Sequence, residues 1–207
     1  MFKKSLNNFF IKKGYKSRGS YHHYDDMETT DEWQNCVYLK AHEEAVKKKY
    51  DIVLDIGCGS GFKLNKYFHD KKTIGLELEQ NIETLRKKYP NNRWEPSDFK
   101  KPFTETVDII ICSDVIEHLV DPDELLEYIY NIDFKTCILS TPERDVIYGK
   151  DFMGPPSLNL AHVREWNMEE LFEYIQNNFN IIEHYVDKAK EEHTQKQCQI
   201  IVFEKKG

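Results

Sequence analysis

Apolar residues in this 207-residue chain come in short bursts separated by stretches of helical spacing. A helical period over Asp31 to Lys49 is followed by Ile52-Val53-Leu54-Asp55-Ile56, a run stopped by glycines and predicted to be a buried strand. Phe62 to His69 reads as a helix, Thr73 to Leu78 as a strand, and Gln80 to Tyr89 as a helix ended by Pro90. A short strand over Arg93 to Glu95, a buried strand over Val107 to Cys112, a helix over Pro122 to Asn131 opened by Asp121 and a strand over Thr136 to Ser140 continue the pattern. Met168 to Asn177 is helical, and Ile181 to Val186 and Gln199 to Phe203 are closing strands. Thr141 to Trp166, with Gly149, Gly154, Pro155 and Pro156, has no period, and a loop that long in a compact domain is usually functional.

Alternating strands and helices predict an α/β fold, a mostly parallel sheet with helices on both faces, to which the two consecutive terminal strands add an antiparallel pair. The expected organisation is a basic arm and capping helix over 1–49 and one domain over 50–207, without internal repeats. Ligands on such sheets bind at the carboxyl ends of the strands, so the chemistry should lie just after residues 56, 78, 95, 112 and 140.

Composition narrows the class. With 40% hydrophobic and 13% aromatic residues the chain can bury a core. Its longest strongly apolar stretch, Ile109 to Cys112, falls far short of the ~18 residues of a membrane span. No transmembrane segment and no secretory signal are read, and a cytoplasmic location is expected. Five cysteines, at 36, 58, 112, 137 and 198, include no C-x-x-C pair and mostly fall in apolar runs, which predicts buried free thiols. The first nineteen residues carry six basic side chains and no acid, so that against a total of −7 the rest of the chain carries −13. Phe2, Leu6, Phe9 and Phe10 in this arm have helical spacing, which predicts an amphipathic helix packed on the domain or facing an anionic surface. The acidic body argues against a broad nucleic-acid footprint.

The first strand runs into Gly57-Cys58-Gly59-Ser60-Gly61, where glycines permit a tight turn and close approach to a ligand. The G-x-G-x-G spacing is not the dinucleotide fingerprint, because position 62 is Phe, and no G-K-[ST] follows. Asp55, two residues before Gly57, would repel a pyrophosphate and suits a ligand carrying an ammonium. Glu77 ends the second strand, where a carboxylate can accept from both ribose hydroxyls, with Leu78 after it. Asp98 can accept from an exocyclic amine, with Phe99 to cover a purine face.

Val53 to Gly61, Gly75-Leu76-Glu77, Ser97-Asp98 and Val107 to Val115 together resemble the successive motifs of class I S-adenosylmethionine-dependent methyltransferases over about residues 50–204. The resemblance implies a Rossmann-like fold with a seven-stranded sheet. It places Asp55, Gly57, Cys58, Gly59 and Gly61 at the methionine portion of S-adenosylmethionine, Glu77 and Leu78 at the ribose, Asp98 and Phe99 at adenine, and Ser113 near the sulfonium.

Methyl transfer to a hydroxyl needs an aligned acceptor and a base, which should follow the fourth strand. There the sequence reads Ser113-Asp114-Val115-Ile116-Glu117-His118, with Ala161-His162-Val163-Arg164-Glu165-Trp166 later. His118 or His162 is the expected base, with Glu117 orienting an imidazole; a cap on the next helix is the alternative role for His118. The D-x-x-E-H…H pattern also resembles the 3′-terminal ribose methyltransferases of small RNAs and, loosely, ubiquinone-pathway O-methyltransferases. That resemblance implies Asp114, Glu117, His118 and His162 as ligands to magnesium or manganese, although Asp114 stands where that family has Glu. Arg144 and Arg164 are candidates for an anionic group such as phosphate, with ion pairing inside the loop as the alternative. Tyr21 to Asp26 and Asp31 to Gln34 precede the fold where the resemblance implies a lid over the cofactor, with an ordinary surface turn and a helix cap at Asp31 as the alternative. Asp31-Glu32-Trp33-Gln34 and Gly154-Pro155-Pro156 through Trp166 resemble small bacterial methyltransferases of surface-polysaccharide assembly. The expected activity is therefore O-methylation of a small-molecule hydroxyl, a sugar or phosphate-linked glycan precursor. Metal-dependent RNA ribose 2′-O-methylation and a non-catalytic cofactor-binding partner protein are the alternatives.

Overall fold

The apolar runs all enter one seven-stranded sheet. The computed structural model describes residues 1–6, 8–20, 27–28, 34–187 and 197–206. The strands are β1 (Ile52–Ile56), β2 (Lys72–Glu77), β3 (Arg93–Pro96), β4 (Thr106–Ser113), β5 (Asp133–Pro142), β6 (Phe179–Val186) and β7 (Cys198–Lys205), in the order β3-β2-β1-β4-β5-β7-β6. Pairing is parallel from β3 through β5, and β7 lies antiparallel to both β5 and β6. Strand order reverses between β1 and β4, which opens the ligand crevice beyond their carboxyl ends.

Helices cover both faces, which is why the central strands read as unbroken apolar runs. Ile109 and Ile111 of β4 face one core with α1 (Asn35–Lys48), α2 (Phe62–Phe68) and α3 (Glu79–Lys88). Ile110 and Cys112 face the other, with α4 (Pro122–Asn131) and α6 (Met168–Gln176). Asp121 caps α4 by accepting from Asp123 N at 3.1 Å, and Asn167 and Glu170 form a capping box on α6. The cap on α4 is thus Asp121, and His118 does not serve there. All five cysteines are free thiols. Among the described residues no helix is long and apolar enough to cross a membrane.

Two segments differ from the sequence reading. The arm is not an amphipathic helix: among its described residues it contains only a 3-10 turn, Asn8–Phe10, whose φ angles of 42°, 52° and 63° are left-handed. Its backbone donors are taken by the body instead of by a helix, Lys3 N by Asn178 Oδ1 (2.8 Å), Ser5 N by Asp123 Oδ2 (2.9 Å) and Lys12 N by Glu170 Oε1 (3.0 Å). Phe9 and Phe10 pack on Tyr174, and Ile11 and Tyr15 are buried.

The region from Thr141 to Trp166 contains a short helix, α5 (Arg144–Tyr148), capped by Glu143. Arg144 is wholly buried, with its guanidinium bonded to both oxygens of Glu170 and to Asp145. Arg164 donates to the carbonyls of Leu119 and Val120, each at 2.8 Å. Neither arginine is therefore presented to an anionic ligand, and the phosphate expectation is corrected for both. Arg144→Ala leaves two carboxylates uncompensated, and removing one partner of a buried pair costs about 3 kcal/mol or more. Thermal unfolding should show Tm lowered by roughly 6–12 °C for a chain of this size, and a fall below 2 °C would show that the pair contributes little.

Candidate functional site

At the end of β1 the chain turns through Gly57, Gly59 and Gly61 at φ of 72°, 52° and 69°, values that L side chains rarely adopt. Gly57 N and Cys58 N both donate to Leu76 O of β2, at 2.9 and 3.1 Å, and Gly59 N donates to Glu77 Oε2 at 2.9 Å. A side chain at Gly57 would also meet Val115 Cγ2 at 2.5 Å. The loop is thus pinned to β2 on one side and to the segment after β4 on the other. Glu77 Oε1 accepts from Leu78 N and Asn81 Nδ2, and the carboxylate retains further lone pairs for ligand hydroxyls.

Asp55 lies under this loop, fully buried. Tyr38 of α1 donates to its Oδ2 at 2.9 Å, while Oδ1 has no hydrogen-bond partner among the described residues. Burial pushes this carboxyl up to about 7, against the pull of Tyr38 and the Lys63 charge. An orphaned buried carboxylate oxygen beside a glycine loop is the group that an ammonium or amide donor would satisfy. Asp98 lies on the rim, bonded to Lys100 N at 3.1 Å and paired with Lys101 at 3.3 Å, and these partners hold its carboxyl below the usual range. Phe99 packs on Tyr128 of α4 with centroids 5.3 Å apart.

Beyond β4 a second cluster forms. Ser140 Oγ donates to Asp114 Oδ1 at 2.6 Å and so accepts from Ser113 Oγ at 3.1 Å. Gln34 Nε2 donates to Asp114 Oδ2 at 2.9 Å, and Asp114 itself sits at a left-handed φ of 52°. A 3-10 turn, Ile116–His118, then carries Glu117 inward. Glu117 is fully buried: Thr141 Oγ1 donates to Oε2 at 3.0 Å, and Oε1 has no hydrogen-bond partner among the described residues. Burial first, and the charge of Asp114 second, push its carboxyl well above the ordinary carboxylate range. His162 Nε2 lies 4.0 Å from that oxygen. His118 Nδ1 donates to Ala161 O at 3.1 Å, and the two imidazoles meet edge to face at 4.8 Å.

One ligand atom from each of Glu117, His118 and His162 lies within 4.8 Å of the others. Asp114 does not join them, because its carboxylate is turned to Ser140 and Gln34; the expected four-ligand set is reduced to three. Among the described residues Glu117 makes no hydrogen bond to His162, whose Nδ1 lies 2.5 Å from Glu165 Oε1 instead. Glu165 was visible only as a letter three positions after His162. Thr141, Ser140 and Tyr38 carry no sequence signal, because strand pairing and helix packing alone bring them to the site. Of the candidate lid, 21–26 and 31–33 lie outside the described residues.

A glycine loop at the β1/β4 switch, acids at or just after the ends of β1, β2 and β3, and a sheet ordered 3-2-1-4-5-7-6 define a doubly wound fold with its ligand crevice at that switch. The family model described as a methyltransferase domain matches residues 30–186. The chain belongs to this family and is a class I S-adenosylmethionine-dependent methyltransferase. No curated protein matches the chain. Among solved structures, the fold is similar to the PH0226 protein of Pyrococcus horikoshii OT3 (TM-score 0.66, 16% identity, 88% of this chain and 95% of that one). An S-adenosylmethionine-dependent methyltransferase from Clostridium acetobutylicum ATCC 824 has TM-score 0.63 at 16% identity, over 85% and 92%. The small RNA methyltransferase HEN1 has TM-score 0.63 at 19% identity, over 91% of this chain and 27% of that one.

Proposed function

We propose that the methyl group is transferred to a hydroxyl of a small sugar-containing acceptor, a precursor of a surface glycan, held against Glu117, His118 and His162. The observation that carries this reading is the fully buried Glu117 Oε1, without a hydrogen-bond partner among the described residues, beside two imidazoles beyond the end of β4. In the transfer, an acceptor oxygen lone pair forms a bond to the methyl carbon as the carbon–sulfur bond breaks. The sulfur keeps the electron pair, and the hydroxyl proton passes to an imidazole nitrogen. Asp55 would meet the amine of the cofactor and Glu77 its ribose hydroxyls. An uncharged acceptor is favoured because Arg144 and Arg164 are committed inside the protein. A cytoplasmic location agrees with the five free thiols.

A second reading, RNA ribose 2′-O-methylation, is favoured by the convergence of Glu117, His118 and His162. Two imidazoles and one carboxylate suit a borderline divalent ion such as manganese better than magnesium, which takes oxygen ligands, and such an ion when bound would neutralise developing charge on the acceptor oxygen. The likeness to HEN1 agrees with it at the level of fold. The test is incubation with methyl-labelled S-adenosylmethionine and three acceptor sets, free sugars, nucleotide sugars and RNA with a 3′-terminal ribose, each with chelator or with manganese. A sugar methyl ether formed in the presence of chelator is expected. Transfer to RNA alone, with an absolute need for manganese, would establish the second reading, and methylation of an amine would overturn both.

A further inference from the structure

We infer that Glu165 is a positioning residue for His162, fixing the tautomer and plane of its ring, and that residues 15–18 of the basic arm clamp this pair to the acceptor side. The inference rests on the proposed role of His162. A carboxylate only accepts, so the 2.5 Å contact between Glu165 Oε1 and His162 Nδ1 places the ring hydrogen on Nδ1 in the neutral imidazole. Nε2 is then left with its lone pair, accepts from Asn159 Nδ2 at 2.8 Å and faces Glu117 Oε1. This is the tautomer that a base or a metal ligand at Nε2 requires.

Glu165 is buried, and its other oxygen, Oε2, has no hydrogen-bond partner among the described residues. Burying a carboxylate so poorly satisfied costs stability, and the orientation of His162 gives it a use. The backbone around the pair is held from two sides. Toward the sheet, Val163 N donates to Glu117 O at 2.8 Å. Toward the arm, Glu165 N donates to Tyr15 Oη at 3.2 Å, Arg18 N to Val163 O at 2.9 Å and Arg18 Nη1 to His162 O at 2.7 Å. One nitrogen of the Arg18 guanidinium is thereby tied to the loop, and the arm acts as a fastening for the acceptor histidine.

The test is nitrogen-15 NMR of the imidazoles in the full chain loaded with S-adenosylhomocysteine, for wild type, Glu165→Leu, Glu165→Gln and Arg18→Ala. In the wild type, His162 should show a protonated Nδ1 and a lone-pair-bearing Nε2. In Glu165→Leu that preference should be lost with cofactor affinity unchanged within about threefold, since the Glu165 carboxylate touches the His162 ring and not the glycine loop. Glu165→Gln keeps an acceptor in place and should restore the tautomer, and Arg18→Ala should broaden the His162 signals into more than one ring environment. A His162 that keeps its Nδ1 hydrogen in Glu165→Leu overturns the inference, as does a Glu165→Gln that behaves like Glu165→Leu. The readout needs no acceptor, so a failed acceptor screen, which would count against the proposed function, leaves this result readable on its own.

Discussion

His162→Ala is expected to lower methyl transfer by about 10²- to 10⁴-fold, the range that a positioned acid–base group contributes, while affinity for S-adenosylhomocysteine stays within about threefold. The two effects should separate because, among the described residues, the side chains that hold Asp55 and Glu77 are not those that hold His162. Asp55, Glu77 and the glycine loop are pinned to β2 and α1, whereas His162 is held by Glu165, Asn159 and the arm. His118→Ala should fall in the same range. The double variant should cost little more than either single one if the imidazoles act on one proton as a unit. Single-turnover rates with labelled cofactor check this, and full activity in His162→Ala would remove this residue from the chemistry.

Asp55→Asn is expected to weaken binding of S-adenosylmethionine by about 10- to 100-fold, the worth of a hydrogen bond to a charged group. The same change should stabilise the cofactor-free protein at alkaline pH. The folded carboxyl titrates near 7 against 3.8 for the ordinary group, so between those values the native state binds more protons than the unfolded one. Stability conferred by the neutral form is present at low pH and lost as pH rises through about 7. The variant has no such loss, so its advantage over wild type should grow by about 2–3 kcal/mol from pH 5 to pH 8. Calorimetric titration of both cofactor forms and denaturant melts at the two pH values provide the check. A stability difference that does not change with pH would mean that Asp55 is ionised throughout this range.

The sheet was legible because runs such as Ile109 to Cys112 are buried on both faces and can only be central strands. The glycine loop was legible because left-handed φ leaves few alternatives to glycine. The arm differs from its reading because Phe2, Leu6, Phe9 and Phe10 have helical spacing, yet Phe9 and Phe10 both pack on Tyr174 while the backbone bonds to distant side chains. Arg144 and Arg164 were candidates for an anion because sequence shows a charge and not its burial. Asp114 shows the same gap. Its motif position is right for a ligand, but Ser140 and Gln34, both remote in sequence, turn the carboxylate away. Glu165 was missed because one hydrogen bond in a loop without period leaves no pattern to read.

The arm also sets an order of assembly. Its hydrogen-bond partners lie 118 to 175 residues further along the chain, at Asp123, His162, Glu170 and Asn178. Contacts of such separation close large loops and form late. The segment is synthesised before the sheet, and its residues 12–18 have nothing to dock on until the loop at His162 and α6 are in place, so the cofactor side can be complete while the acceptor side is still open. Folding intermediates of this enzyme should therefore bind its cofactor before they can transfer the methyl group.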